Sequence, residues 1–235
     1  MTDDHHLHGL DPYDLLDAEA ARLAAHFATL DDLGYAQPSR CEGWSVRDVL
    51  CHLASSEEYH HACLEKMVQA FFAAGTEKGL DSLEAWNDDG IRTFDGVDTV
   101  SVLEQWRTRN AETRRGFRAA DGGNIDTSIG DYPGRWQAFH VALELATHAD
   151  DVGVPVDASE RRSRTEWRAG VSRFALAESK PDLTVERMPD GRTRIAGQGR
   201  SVEVDDSELV EAVAARLDDT SRLDEAGRAL LSATP

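Results

Sequence analysis

Apolar residues recur at helical spacing through most of the first 155 positions. Leu16, Ala20, Leu23, Phe27 and Leu30 follow one another in alternating steps of four and three, which predicts an amphipathic helix over 12–33, ended by Gly34. Tyr35 to Glu42 read as a connecting loop. Ser45 with Asp48 three residues on is a capping-box pattern, and Trp44 stands just ahead of it, so a second helix starts sharply there. Val49, Leu53, Cys63, Leu64, Met67, Val68 and Phe71 carry its apolar face to residue 74. Leu80, Leu83 and Trp86 in the polar stretch 76–95 predict a short helix or a packed loop. Val100, Leu103, Trp106 and Phe117 predict a third long helix over 97–119, closed by the break Asp121-Gly122-Gly123-Asn124. Tyr132-Pro133-Gly134 turns the chain into a fourth helix, Trp136 to Asp151, which Gly153-Val154-Pro155 ends.

Beyond this point the period changes. Residues 157–180 read as a connecting helix, and Leu183 to Met188 alternate as a strand. Asp190-Gly191 is a hairpin turn, Arg192 to Ala196 the returning strand, and Ser201 to Val204 a third strand. A helix from Asp206 through Leu217 follows, then a last one over 222–231. Four amphipathic helices must bury their stripes against one another. The expected architecture is therefore mainly α: a four-helix bundle over 1–155, then the connecting helix and a small α+β domain over 156–235.

Composition narrows the partners. Of 235 residues, 40% are hydrophobic, enough for a core, and the mean hydropathy is -0.49. The formal charge of -19 leaves no basic face for nucleic acid or an anionic membrane. No apolar run approaches the ~20 residues of a membrane helix. The start, Met1 to His8, has neither the basic nor the apolar stretch of a signal peptide, so a cytoplasmic protein is expected, a monomer or homodimer acting on a small molecule. Three cysteines (Cys41, Cys51, Cys63) without a C-x-x-C spacing argue against a disulfide framework or a zinc ribbon. His5, His6 and His8 read as a disordered tip.

The candidate chemistry sits on the fourth helix. His140, Glu144 and His148 recur every four residues, and each such step returns a side chain to roughly 40° from its starting direction. Apolar Val141, Ala142, Leu143, Leu145 and Ala146 surround Glu144, and a carboxylate on such a stripe needs a cation or a hydrogen-bonding partner. Glu144 and His148 supply an i, i+4 pair of metal-type donors, and His52 on the second helix closes the triangle, leaving a position open as catalytic zinc sites do. His140, one turn away, is a fourth ligand or a substrate-pocket residue. Tyr59, seven residues after His52, falls in line with it as a second substrate-binding candidate. Asp151, three residues after His148, is placed to orient a ligand histidine. His60 and His61 are expected on exposed helix positions and Cys51 in packing. No dinucleotide fingerprint, Walker A or nucleophile elbow is present.

These residues carry a resemblance. Cys41-Glu42-Gly43-Trp44-Ser45-Val46-Arg47-Asp48-Val49-Leu50-Cys51-His52-Leu53 is similar to the G-W-(S/T)-V-x-D-x-x-x-H-L segment of the DinB-like superfamily, and Glu144 to Asp151 is similar to the E-x-x-x-H-x-x-D helix of its mycothiol-dependent maleylpyruvate isomerase branch. The likeness covers residues 12–155. It implies a divalent metal, usually zinc, on His52, Glu144 and His148, and mycothiol, a low-molecular-weight thiol, as co-substrate. It implies S-transfer to a small electrophile, or cis–trans isomerisation of one such as maleylpyruvate. An arginine of the second domain would meet an anionic substrate, with Arg187, Arg192, Arg194 and Arg200 as candidates. Thiol-independent hydrolysis by a zinc-bound hydroxide and a non-catalytic, metal-stabilised binding module are the alternatives for the same ligands.

Overall fold

The computed structural model describes residues 4–197, 199–218 and 221–232. Met1, Thr2 and Asp3 of the acidic start lie outside them. Backbone contacts divide the chain into two units, Asp11–Val154 and Pro155–Pro235 with Met1–Leu10, as far as these are described. Residues 4–10 thus group with the second unit, whereas the sequence reading places them with the helices.

The first unit holds α1 (Pro12–Phe27), α2 (Asp32–Tyr35), α3 (Val46–Leu64), α4 (Val68–Glu77), α5 (Leu83–Arg92) and α6 (Thr99–Ala119). A hairpin of β1 (Asn124–Thr127) and β2 (Gly130–Pro133) then leads into α7 (Gly134–Asp151). Among the long helices, α1 lies along α7 and α3 along α6, while α6 also meets α1 and α7. Leu16, Leu23, Phe27, Leu50, Trp106, Phe117 and Phe139 are buried. Phe27 meets Trp106 edge-on at 6.0 Å and stacks on Tyr35 at 6.1 Å. One buried polar network joins α3 to α6. The carboxylate of Glu57 accepts from Asn110 Nδ2 at 2.8 Å and from the Thr113 hydroxyl, and Arg114 Nε donates to Asn110 Oδ1 at 2.9 Å.

Several boundaries differ from the periodicity. The first helix stops at Phe27, because Asp31 caps a separate turn by accepting from Gly34 N–H at 2.8 Å. The second divides at Lys66, which takes a left-handed φ of 60° while Met67 N–H returns to Ala62 C=O at 2.8 Å. The stretch 76–95 contains a true helix, α5, capped by Ser82. The β1–β2 hairpin is absent from the sequence expectation.

The second unit contains a 3₁₀ turn at His5–Leu7, α8 (Ala158–Ser179), β3 (Thr184–Arg187), β4 (Thr193–Gly197), β5 (Arg200–Val204), α9 (Asp206–Val213) and α10 (Glu225–Leu231). The three strands form an antiparallel sheet in the order β3-β4-β5, with Ile195 opposite Val185 and Val202. Leu176, Ile195, Val204, Leu209 and Leu231 make its core. α9 ends at Val213, four residues before the expected Leu217, where Ala215 turns left-handed at φ 55°. The histidine tip is ordered, contrary to expectation. Leu7 is buried, and a Cβ on Gly170 of α8 would come within 3.0 Å of His6 C=O. Among the described residues no helix is long and apolar enough to cross a membrane.

The capping box of α3 forms as the sequence predicts. Ser45 N–H donates to Asp48 Oδ2 at 2.9 Å and Asp48 N–H to Ser45 Oγ at 3.2 Å. A Ser45→Ala variant is expected to lose about 1 kcal/mol of stability, read as a lower denaturant midpoint with an unchanged slope.

Candidate metal centre

Two helix ends set the site. The turn before α3 is tight. Gly43 has φ 79°, which favours glycine, and Trp44 N–H closes on Cys41 C=O at 3.0 Å. The capping box then starts α3, so His52 stands two turns along it. At the far end of α7, Gly153 (φ 73°) forms a Schellman ending in which Val154 N–H reaches Ala149 C=O at 2.9 Å. That closure puts His148 and Asp151 in the last helical turns.

His52, Glu144 and His148 come together, each offering a ligand atom within 4.8 Å of the others. His52 Nε2 lies 3.5 Å from Glu144 Oε1, and the two imidazoles meet edge-on with ring centres 5.0 Å apart. The 3.5 Å separation is too long for a strong hydrogen bond. It matches the edge of about 3.4 Å expected between two ligands held tetrahedrally at about 2.1 Å from one ion. The histidine side chains keep 11% of their surface, whereas Glu144 keeps 34%, so solvent reaches the set on the Glu144 side. Two imidazoles and one carboxylate, reached by solvent on one side, suit a divalent cation once His148 has given up its proton.

The electrostatics divide the two histidines. Burial lowers the His52 pKa, against a smaller upward pull from Glu144. Burial acts in the same sense on His148, but the Asp151 carboxylate, Cys41 and Glu144 outweigh it and raise its pKa to about 9. For Glu144, burial alone would favour the neutral acid. The His52 contact and the imidazoles of His60, His52 and His148 overcome it and hold the carboxyl down at about 2.

Asp151 Oδ2 lies 3.1 Å from His148 Nδ1, as the spacing anticipates. His140 is not part of the ligand set; its Nε2 is 3.0 Å from the Tyr132 hydroxyl at the end of the hairpin. Tyr59 accepts from Ser128 N–H at 3.1 Å and packs near Phe71 and Phe72. His60, expected on the surface, is buried at 5% exposure near Phe117. His61 is half-buried, with Nε2 3.3 Å from Arg109 C=O. Cys51 is fully buried, in packing. In the second unit, Arg192 and Arg194 pair with Glu203, Arg200 pairs with Asp224, and Arg187 is exposed.

Two site residues escape the sequence reading. Trp44 stands 5.1 Å, ring to ring, from His52. Cys41 donates its thiol hydrogen to Asp151 Oδ2 at 3.2 Å, and its sulfur is 3.9 Å from His148 Nδ1. A cysteine in a short polar loop just ahead of a ligand-bearing helix is the one signal that could have drawn attention to it.

A helical unit with a two-histidine, one-carboxylate centre on two facing helices is a DinB-type arrangement. The sequence profile of the mycothiol maleylpyruvate isomerase N-terminal domain matches residues 16–153, and the chain belongs to that family. Two similar solved structures are the mycothiol-dependent maleylpyruvate isomerase and a point mutant of that enzyme. The first has a TM-score of 0.63 and 15% identity, the second 0.62 and 16%; each comparison covers 88% of this chain and 89% of the other. At that identity they define a shared fold. Among curated proteins no match is found.

Proposed function

We propose that the chain is a metal-dependent enzyme that uses a low-molecular-weight thiol, mycothiol, in S-transfer to a small electrophile or in cis–trans isomerisation of one such as maleylpyruvate. The observation that carries the reading is the His52–Glu144–His148 set, spaced for an ion and open on the Glu144 side. His52, Glu144 and His148 would hold a divalent cation, zinc by its donor set. The ion supplies the positive charge that keeps a coordinated thiol deprotonated, and only the thiolate is a strong nucleophile. Asp151 faces His148 Nδ1, which keeps the proton on that nitrogen and the lone pair on Nε2. The Trp44 ring covers one side of His52 and limits water there. His140 and Tyr59 are the candidates for substrate contact. Family membership and the shared fold support the thiol and the isomerase class.

The test is elemental analysis joined to a turnover screen of activated double bonds and S-acceptors, with and without mycothiol. A stoichiometric divalent ion and strictly thiol-dependent turnover are expected. Full turnover without thiol would convert the reading to hydrolysis, and a metal-loaded protein inert to the whole panel would make it a binding module.

Metal uptake should also depend on pH. The proton that His148 retains up to about 9 must leave when an ion binds. Apparent affinity is therefore expected to rise about tenfold per pH unit on the alkaline side of neutrality, and to level once His148 is deprotonated. Competition with a chelator of known affinity measures this, and a flat profile would contradict it.

A further inference from the structure

We propose that Cys41 is a positioning residue for His148, acting through Asp151. The inference rests on the metal-centre reading above and adds a component to it.

The turn 39–44 is closed on itself and tied to the last turn of α7. Ser39 Oγ donates to Trp44 C=O at 2.9 Å and accepts from Cys41 N–H at 3.1 Å. Arg40 N–H donates to Asp151 C=O at 3.0 Å, which ties the loop to the α7 backbone. The Cys41 thiol meets the Asp151 side chain at 3.2 Å, on the same Oδ2 that faces His148 Nδ1 at 3.1 Å. Cys41, His148 and Asp151 are all buried, and the Asp151 side chain has no exposed surface.

An ionised carboxylate only accepts hydrogen bonds, so the groups that share Oδ2 must both donate. The thiol then fixes the rotamer of Asp151, and Asp151 fixes the ring orientation and tautomer of His148. The other end of the same turn carries Trp44 against the His52 ring. One short loop thus sets both ligand histidines, which lie on separate helices. Without the thiol, Asp151 keeps its volume and charge but loses one of the two donors that share Oδ2.

The test uses the full chain in three forms: wild type, Cys41→Val, which fills similar volume without a donor, and Cys41→Ser, which keeps one. Zn²⁺ affinity is measured by chelator competition, alongside the thermal midpoint of the metal-free protein. Cys41→Val is expected to weaken affinity by about tenfold, in the range found when groups supporting a ligand histidine are removed. Cys41→Ser should recover most of that loss, with metal-free midpoints similar across the set. In an Asp151→Asn background the Cys41→Val effect should shrink, since the thiol acts through that carboxylate. Should Cys41→Val fail to fold, Cys41→Ala, which also lacks a donor, carries the same comparison in both backgrounds.

The sulfur also lies close enough to His148 and Asp151 to offer itself as a ligand. Co²⁺ substitution separates that role. A near-ultraviolet thiolate charge-transfer band that Cys41→Ser abolishes would make Cys41 a ligand and overturn the proposal. Equal Zn²⁺ affinity in wild type and Cys41→Val would overturn it while leaving the metal reading intact. A wild type that binds no divalent ion would overturn both.

Discussion

A Glu144→Gln variant is expected to lose divalent-metal affinity by roughly a hundredfold and to lose thiol-dependent turnover with it. Glutamine keeps the shape of the side chain and removes its charge. What remains is two imidazoles, one of which prefers its proton. Loss of a group that merely supports a ligand histidine costs about 10–100-fold in metal affinity, and a charged group in the ligand position lies at the upper end of that range. Chelator competition measures the loss, and mass spectrometry under native conditions reports the metal content. Wild-type affinity in this variant would remove Glu144 from the ligand set.

The second large effect is on stability. An Asn110→Leu variant is expected to destabilise the protein by about 3 kcal/mol, the cost of leaving one oxygen of a buried carboxylate without its donor. Glu57 is 2% exposed and accepts from Asn110 and Thr113 on α6. Leucine removes one donor and gives the carboxylate oxygen no access to water. The same change strips Arg114 of the Asn110 carbonyl. A Glu57→Leu/Asn110→Leu double variant should recover much of the loss, since an apolar pair of similar volume is often neutral. Urea unfolding of the two variants and the wild type provides the comparison. An unfolding free energy for Asn110→Leu within about 1 kcal/mol of wild type would show that the network is dispensable.

What the sequence revealed follows the range of the interactions involved. The start of α3 is written in Ser45 and Asp48, three residues apart, and the end of α7 in Gly153, so both were legible. His52, Glu144 and His148 were legible because helical spacing aligned two of them and the motif around Trp44 supplied the third. Helix ends without glycine were not. Lys66 and Ala215 occupy left-handed positions, at φ 60° and 55°, that glycine fills in a typical Schellman ending. The tertiary structure imposes those turns against local preference, and no composition signal marks them. The hairpin was missed for another reason: each of its strands carries a single large apolar residue, Ile125 or Tyr132, so no alternating period shows. His60 looked exposed by its polarity, yet α3 is enclosed on more than one side, so a polar residue off the His52 line is still buried. Cys41 reaches Asp151 across 110 positions of chain, a contact that only the assembled helices create.

Because residues 4–10 group with the second unit, the two units are not completed in the order in which the chain is synthesised. The helical unit is one continuous stretch, complete once residue 154 has been synthesised. The second unit is not. Its 3₁₀ turn at His5–Leu7 is made first, and α8, on which Gly170 receives that turn, is made only after the whole helical unit. Completing it closes a loop as long as the helical unit itself. Such non-local closure is slow compared with the local contacts that build helices. The opening segment is therefore expected to dock on α8 as one of the last steps of folding, after His52, Glu144 and His148 have come together.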